Sequence, residues 1–141
     1  MAGLSNDSMM DIMLLTTKLQ NLCEGFDDTN KSAIITSKIK ILLAITENGG
    51  IASPSTIKNK VGLAKSNVAL ACSKLITEGY ITKVHDNFDV REITYSITEA
   101  GKTYLNDFLT ISKKNFEGQL AYKNNMKDIK QATSTLLDLI K

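Results

Sequence analysis

The sequence predicts a mainly α fold with a small antiparallel β-wing, on three observations. Between Ser53 and Gly79, two amphipathic helical stretches are separated by a short turn at Gly62. Directly afterwards, at about residues 80–97, two strand-like runs flank the polar tip HDNFDV. On either side, residues 8–26 and 99–140 repeat apolar residues at helical spacing. Helix, turn, helix and hairpin in that order make a winged helix-turn-helix with flanking N- and C-terminal helices.

Each element has its own signals. From Ser8 to about Glu24, Ile12, Leu15, Leu19, Leu22 and Cys23 follow a helical period, with Phe26 beyond them and Ser5, Asp7 or Ser8 placed to cap. Residues 25–32, GFDDTNKS, read as a polar loop. Thr36 or Ser37 caps the next helix, in which Ile39, Leu42, Leu43 and Thr46 are expected to face inward, and Asn48-Gly49-Gly50 stops it. Ile51 suits a short third strand.

Ser53-Pro54 opens the following helix, because a Ser oxygen can accept an orphan N–H and Pro needs no hydrogen bond at the first helical position. It runs to about Val61, Gly62 turns the chain, and Leu63 tucks between the helices. In the helix from Lys65, Val68, Ala71, Cys72, Leu75 and Ile76 form one apolar stripe, while Ser66, Asn67, Leu70, Ser73 and Lys74 face elsewhere. After Gly79, Tyr80 to Val84 pairs with Arg91 to Ile97.

Thr98 then caps a long helix whose apolar face holds Tyr104, Leu105, Phe108, Leu109, Ile111 and Ser112 and continues to Phe116, with a bend or break at Gly118. A last helix, about Lys123 to Ile140, carries Met126, Ile129, Ala132, Thr133, Leu136, Leu137 and Ile140 at helical spacing.

Composition narrows the function. At 141 residues and 43% apolar, the chain suits a single domain, residues 1–141, with a winged helix-turn-helix lobe at 36–98. No apolar run approaches the roughly 18 residues of a membrane span, and the first residues lack the basic and apolar regions of a secretory signal. The expectation is a cytoplasmic protein with no membrane partner.

Cys23 and Cys72 have no Cys or His partner at metal-ligand spacing, and the single His85 stands beside the hairpin tip. Without a glycine-rich phosphate loop or a nucleophile-elbow motif, the chain is expected to use no metal or cofactor and to be no enzyme.

Charge is unevenly placed. Residues 1–35 hold two Lys against five Asp/Glu, or −3, while residues 54–91 hold five Lys and Arg91 against three acids, or +3. The positive balance falls on the helix-turn-helix, where polyanionic DNA would dock. The second helix of such a motif enters the major groove with its N-terminal residues at base edges, here Lys65, Ser66 and Asn67, with Ser73 further along. Lys58, Lys60, Lys74 and Lys83 are the phosphate-contact candidates, against the plainer reading of solvated lysines.

A reading head with a wing needs only about half of the chain, so the helices at 8–26 and 99–140 carry surplus apolar surface that is costly to expose. Two copies packing these helices together would bury it. A symmetric homodimer with two recognition helices is therefore expected, on a pseudo-palindromic site of double-stranded DNA.

The arrangement resembles the MarR family of transcriptional regulators over about residues 8 to 140. Asp86-Asn87-Phe88-Asp89-Val90-Arg91 fits the family's D-x-x-D-x-R wing tip, and Ile93 to Gly101 fits its strand followed by L-T-x-x-G. Val61 to Val68, closing with Leu75 and Gly79, resembles its turn and recognition helix. The resemblance implies a homodimer whose wing arginine, Arg91, enters the minor groove while Asp89 helps to hold it.

Arg91 is the only arginine beside sixteen lysines, and its planar fork suits a narrow electronegative groove. The alternative is a local pair with Asp86 or Asp89 that only rigidifies the hairpin.

The chain departs from the family where Thr or Ser followed by Arg is usual, having Ala69-Leu70. Leu70 either touches a thymine methyl or packs internally, and specificity then leans on Lys65, Ser66, Asn67, Ser73 and DNA shape. Cys23 lies in the first helix, where the family's peroxide sensors carry their thiol. The acid of Glu24 beside it would raise its pKa, which favours an interface thiol over a redox sensor.

Two functions are thus in view. One is a sequence-specific regulator, a repressor in the first instance, relieved by a small-molecule effector. The other is a winged-helix docking module with weak or no specific DNA binding.

Overall fold

The computed structural model describes residues 3–23, 36–85, 93–119 and 126–140. Among the described residues, six helices and three strands follow in the order α1 (Asn6–Cys23), α2 (Ser37–Glu47), β1 (Ile51–Ala52), α3 (Pro54–Val61), α4 (Lys65–Thr77), β2 (Ile81–His85), β3 (Ile93–Ile97), α5 (Glu99–Gln119) and α6 (Met126–Leu139). The mainly α architecture with a small antiparallel sheet is the one the sequence predicts.

Helix starts fall where polar caps stand. Ser5 Oγ accepts the Ser8 N–H at 3.1 Å, Thr36 Oγ1 the Ile39 N–H at 3.4 Å, Ser53 Oγ the Thr56 N–H at 3.2 Å, and Thr98 Oγ1 the Gly101 N–H at 3.0 Å. Two helix ends share one motif. After α4, Gly79 takes φ 82°, its N–H donates to Ile76 O at 3.0 Å, and the Tyr80 N–H donates to Leu75 O at 2.9 Å. After α2, Gly49 and Gly50 repeat that pattern on Thr46 and Ile45.

The three strands lie in the order β1-β3-β2, all antiparallel, with Ile51 opposite Ser96, Ile81 opposite Ile97 and Lys83 opposite Tyr95. The lobe core is formed by Ile39, Ile41, Leu42 and Ile45 of α2, Ile57 of α3, Val68, Ala71, Cys72 and Leu75 of α4, and Ala52, Ile81, Tyr95 and Ile97 of the sheet. Each fully buried Ile or Leu stabilises the lobe by roughly 1.5–3 kcal/mol relative to exposure. Leu105, buried on α5, joins the long helix to this core, and α1 packs along α5.

Several inward assignments change. Leu43 and Thr46 of α2 are exposed, whereas Ile41, Ala44 and Ile45 are buried. α2 is covered by α3, α4, α5, β1 and β3, so its buried arc is wider than a one-sided stripe and only a strip around Lys40, Leu43 and Glu47 faces out. Ile76 and Leu109 sit at the margins of their helices' buried faces and remain exposed. α5 continues through Gly118 to Gln119.

Lys38 Nζ meets Glu78 Oε1 at 2.8 Å, tying α2 to the end of α4. That hydrogen bond, and secondarily the Glu78 charge, holds the lysine above its ordinary range. Both side chains are about one-third exposed, so the pair contributes no more than about 1 kcal/mol.

A candidate nucleic-acid interface

The interface candidate is built on α4. Val68, Ala71, Cys72 and Leu75 are buried and fix the helix's rotation, so the opposite side carries Ser66, Leu70, Ser73 and Thr77 at helical spacing. By the same period Lys65 and Ala69 lie on one margin of that side, and Asn67 and Lys74 on the other. All are exposed. Leu70, which the sequence left between core and surface, is 58% exposed. Thr77, absent from the sequence-based candidates, belongs to this side by position, although its hydroxyl donates to Ser73 O at 3.1 Å.

The start of α4 differs from the other interior helices. Its N-cap is Ala64, and no side chain accepts the N–H groups of its first turn. Those orphan donors, together with the helix dipole, favour an anion such as a phosphate oxygen. No acidic residue stands in that turn to oppose one.

The turn before it is set by Gly62, whose φ of 69° ends α3 while its N–H donates to Lys58 O at 3.0 Å. Leu63 packs partly buried on the core, as expected.

The remaining candidates are spread around this helix. Lys58 is exposed on α3. Lys60, also on α3, is engaged, its Nζ 3.1 Å from Glu47 Oε1 on α2, so a phosphate would have to share or replace that carboxylate. Lys83 is exposed on β2, two residue pairs from the end of the ladder at His85–Ile93. Asp86, Asp89 and Arg91, the wing-tip candidates, lie outside the described residues.

Other chemistry finds less. Cys72 is fully buried in the core, and burial pushes its thiol up to about 11, which removes it from nucleophilic roles at neutral pH. Cys23 is half-buried at the end of α1. Among the described residues, no three His, Cys, Asp or Glu side chains cluster to hold a metal, and no helix is long and apolar enough to cross a membrane. Ser112 Oγ and Asn115 Nδ2 on α5 are buried without a hydrogen-bond partner among the described residues.

The flanking helices leave apolar side chains in solvent. On α1, Met10, Met13 and Leu14 are each at least half exposed. α6 contributes no buried residue and packs closely against no other described element, while Leu136, Leu137 and Leu139 project from it.

No protein-family model and no curated protein matches the chain in sequence. Solved structures do match its fold along nearly its whole length. A MarR family protein from Bacillus stearothermophilus superposes with a TM-score of 0.67 at 12% identity, covering 98% of this chain and 99% of its own. A cysteine-to-serine mutant of MarR from E. coli, complexed with operator DNA, gives a TM-score of 0.63 at 12% identity over 96% of this chain and 95% of its own. BpsR from Bordetella bronchiseptica, whose DNA binding is regulated by 6-hydroxynicotinic acid, gives 0.59 at 12% identity over 92% and 98%. At these identities the likeness is one of fold: a MarR-like winged helix.

Proposed function

We propose that this chain, with its MarR-like winged-helix fold, is a non-enzymatic, sequence-specific DNA-binding transcriptional regulator. It acts as a homodimeric repressor in the cytoplasm, on a pseudo-palindromic operator. The observation that carries the reading is the outward side of α4, where Ser66, Leu70 and Ser73 are flanked by Lys65, Asn67 and Lys74 beyond an uncapped helix start. The operator complex of a structural neighbour supports it.

The whole chain works as one unit, with residues 36–98 as the DNA-reading lobe and residues 8–26 and 99–140 as the dimerising helices. The exposed apolar side chains of α1 and α6 support that division. A small-molecule effector relieves binding. The unpaired polar atoms of Ser112 and Asn115 on α5 support a polar ligand near the helix that links lobe to flank.

Selection of bound sequences from a random duplex pool tests the function. The expected result is a two-fold site bound by two chains, with Arg91→Ala weakening binding by about 1–3 kcal/mol in a protein that still folds. Failure to enrich any sequence overturns the regulator reading and favours a docking module, for which the exposed Leu70 would be a protein contact.

The uncapped helix start gives a sharper discriminator. Ala64→Asp supplies a cap and is expected to raise stability by about 1 kcal/mol, while its carboxylate repels the phosphate that the first turn would hold. Thermal melting should rise and DNA affinity should fall in the same protein. A variant that is more stable and binds DNA undiminished removes the phosphate from the α4 start.

A further inference from the structure

Resting on the DNA-binding reading, the geometry points to Leu70 as a reader of a thymine C5-methyl group in the major groove, which makes thymine at one position of each half-site a specificity determinant. Leu70 is 58% exposed and has no place in the lobe core. A single exposed Leu is ordinary on a protein surface. This one stands in the second turn of α4, one turn beyond Ser66 and one before Ser73 and Lys74, all exposed. A surface that meets those side chains must also meet Leu70.

In the major groove the four base pairs offer hydrogen-bond donors and acceptors, and thymine alone adds a methyl group. Leu70 can satisfy no donor or acceptor. Set against guanine N7 and O6 or cytosine N4, it would strip water from polar atoms and return nothing, whereas beside a thymine methyl it buries apolar surface on both partners. Attraction to one base and penalty at the others act in the same direction.

The test uses the full chain and its selected site. Each thymine is replaced in turn by deoxyuridine, which deletes only the C5-methyl, and wild type, Leu70→Ala and Leu70→Met are titrated against every duplex. At one position in each half-site, deoxyuridine is expected to weaken wild type about fourfold, the worth of one buried methyl-sized group. At that position it should leave Leu70→Ala unaffected, while Leu70→Met, which keeps the apolar reach, retains the penalty. A site that wild type binds with no sensitivity to deoxyuridine overturns the thymine reading alone, as does an equal penalty in Leu70→Ala. A chain that binds no site overturns it together with the regulator reading.

Discussion

Gly101→Ala is expected to cost about 3 kcal/mol, the upper range for overpacking a close contact, and to lower the melting temperature by about 10 °C. The first turn of α5 lies directly on the corner between α4 and β2. Thr98 fixes it there: its Oγ1 donates to Gly79 O at 2.6 Å and its N–H to Tyr80 O at 3.0 Å. A Cβ on Gly101 would run into that Tyr80 carbonyl oxygen and come within 2.8 Å of Ile97 Cγ1. Relief would require α5 to lift, which breaks the Thr98 bonds and disturbs the Tyr80–Tyr104 stack, whose ring centroids are 4.4 Å apart. It would also pull at buried Leu105.

Gly118 on the same helix is the control, because a Cβ there meets nothing within 4 Å. Gly118→Ala should gain up to about 1 kcal/mol from helix propensity. Equal melting temperatures for the two variants would contradict this account of the junction.

The double substitution Ile129→Glu with Leu136→Glu is expected to leave the lobe folded and make the protein monomeric. The two residues lie two turns apart on the apolar stripe of α6, and neither belongs to the lobe core. In an isologous interface each change is felt twice. Losing about 2 kcal/mol at each of four buried side chains removes about 8 kcal/mol, nearly six decades in the dimerisation constant. Sedimentation at micromolar concentration should find wild-type dimer and variant monomer with unchanged helical circular dichroism. A variant that stays dimeric would clear α6 of the interface, and a monomeric wild type would remove the dimer itself.

Much of this fold was legible because local signals and burial agree. Ser53-Pro54, Gly62, Gly79 and Thr98 mark element ends through side-chain caps and positive φ, properties of a few adjacent residues. The stripe Val68, Ala71, Cys72 and Leu75 was readable because α4 is covered on one side only. α2 defeated the same reasoning, since a helix packed by five neighbours has no single stripe.

The site was legible in part. The exposure of Ser66, Asn67, Ser73 and Lys74 followed from the core stripe, but the fate of Leu70 did not, because an apolar side chain opposite that stripe can be covered by another element or left in solvent. The Lys60–Glu47 pair joins residues thirteen apart on different helices, and no sequence period announces such a meeting. The Gly101 contact had a faint signal in the Thr98-to-Gly101 spacing, whose cause is the carbonyl of Tyr80 across the fold.

The salt dependence of binding to the selected duplex is the measurement that decides whether α4 docks on DNA. If α4, the α3 lysines and the wing of two chains neutralise about six phosphates, affinity should fall by about three decades between about 50 and 200 mM salt. A fall of that size on a two-fold site is expected of a dimer that docks on the DNA backbone. Affinity that is nearly independent of salt would contradict that docking and show that whatever the exposed side of α4 recognises, it is not the DNA backbone.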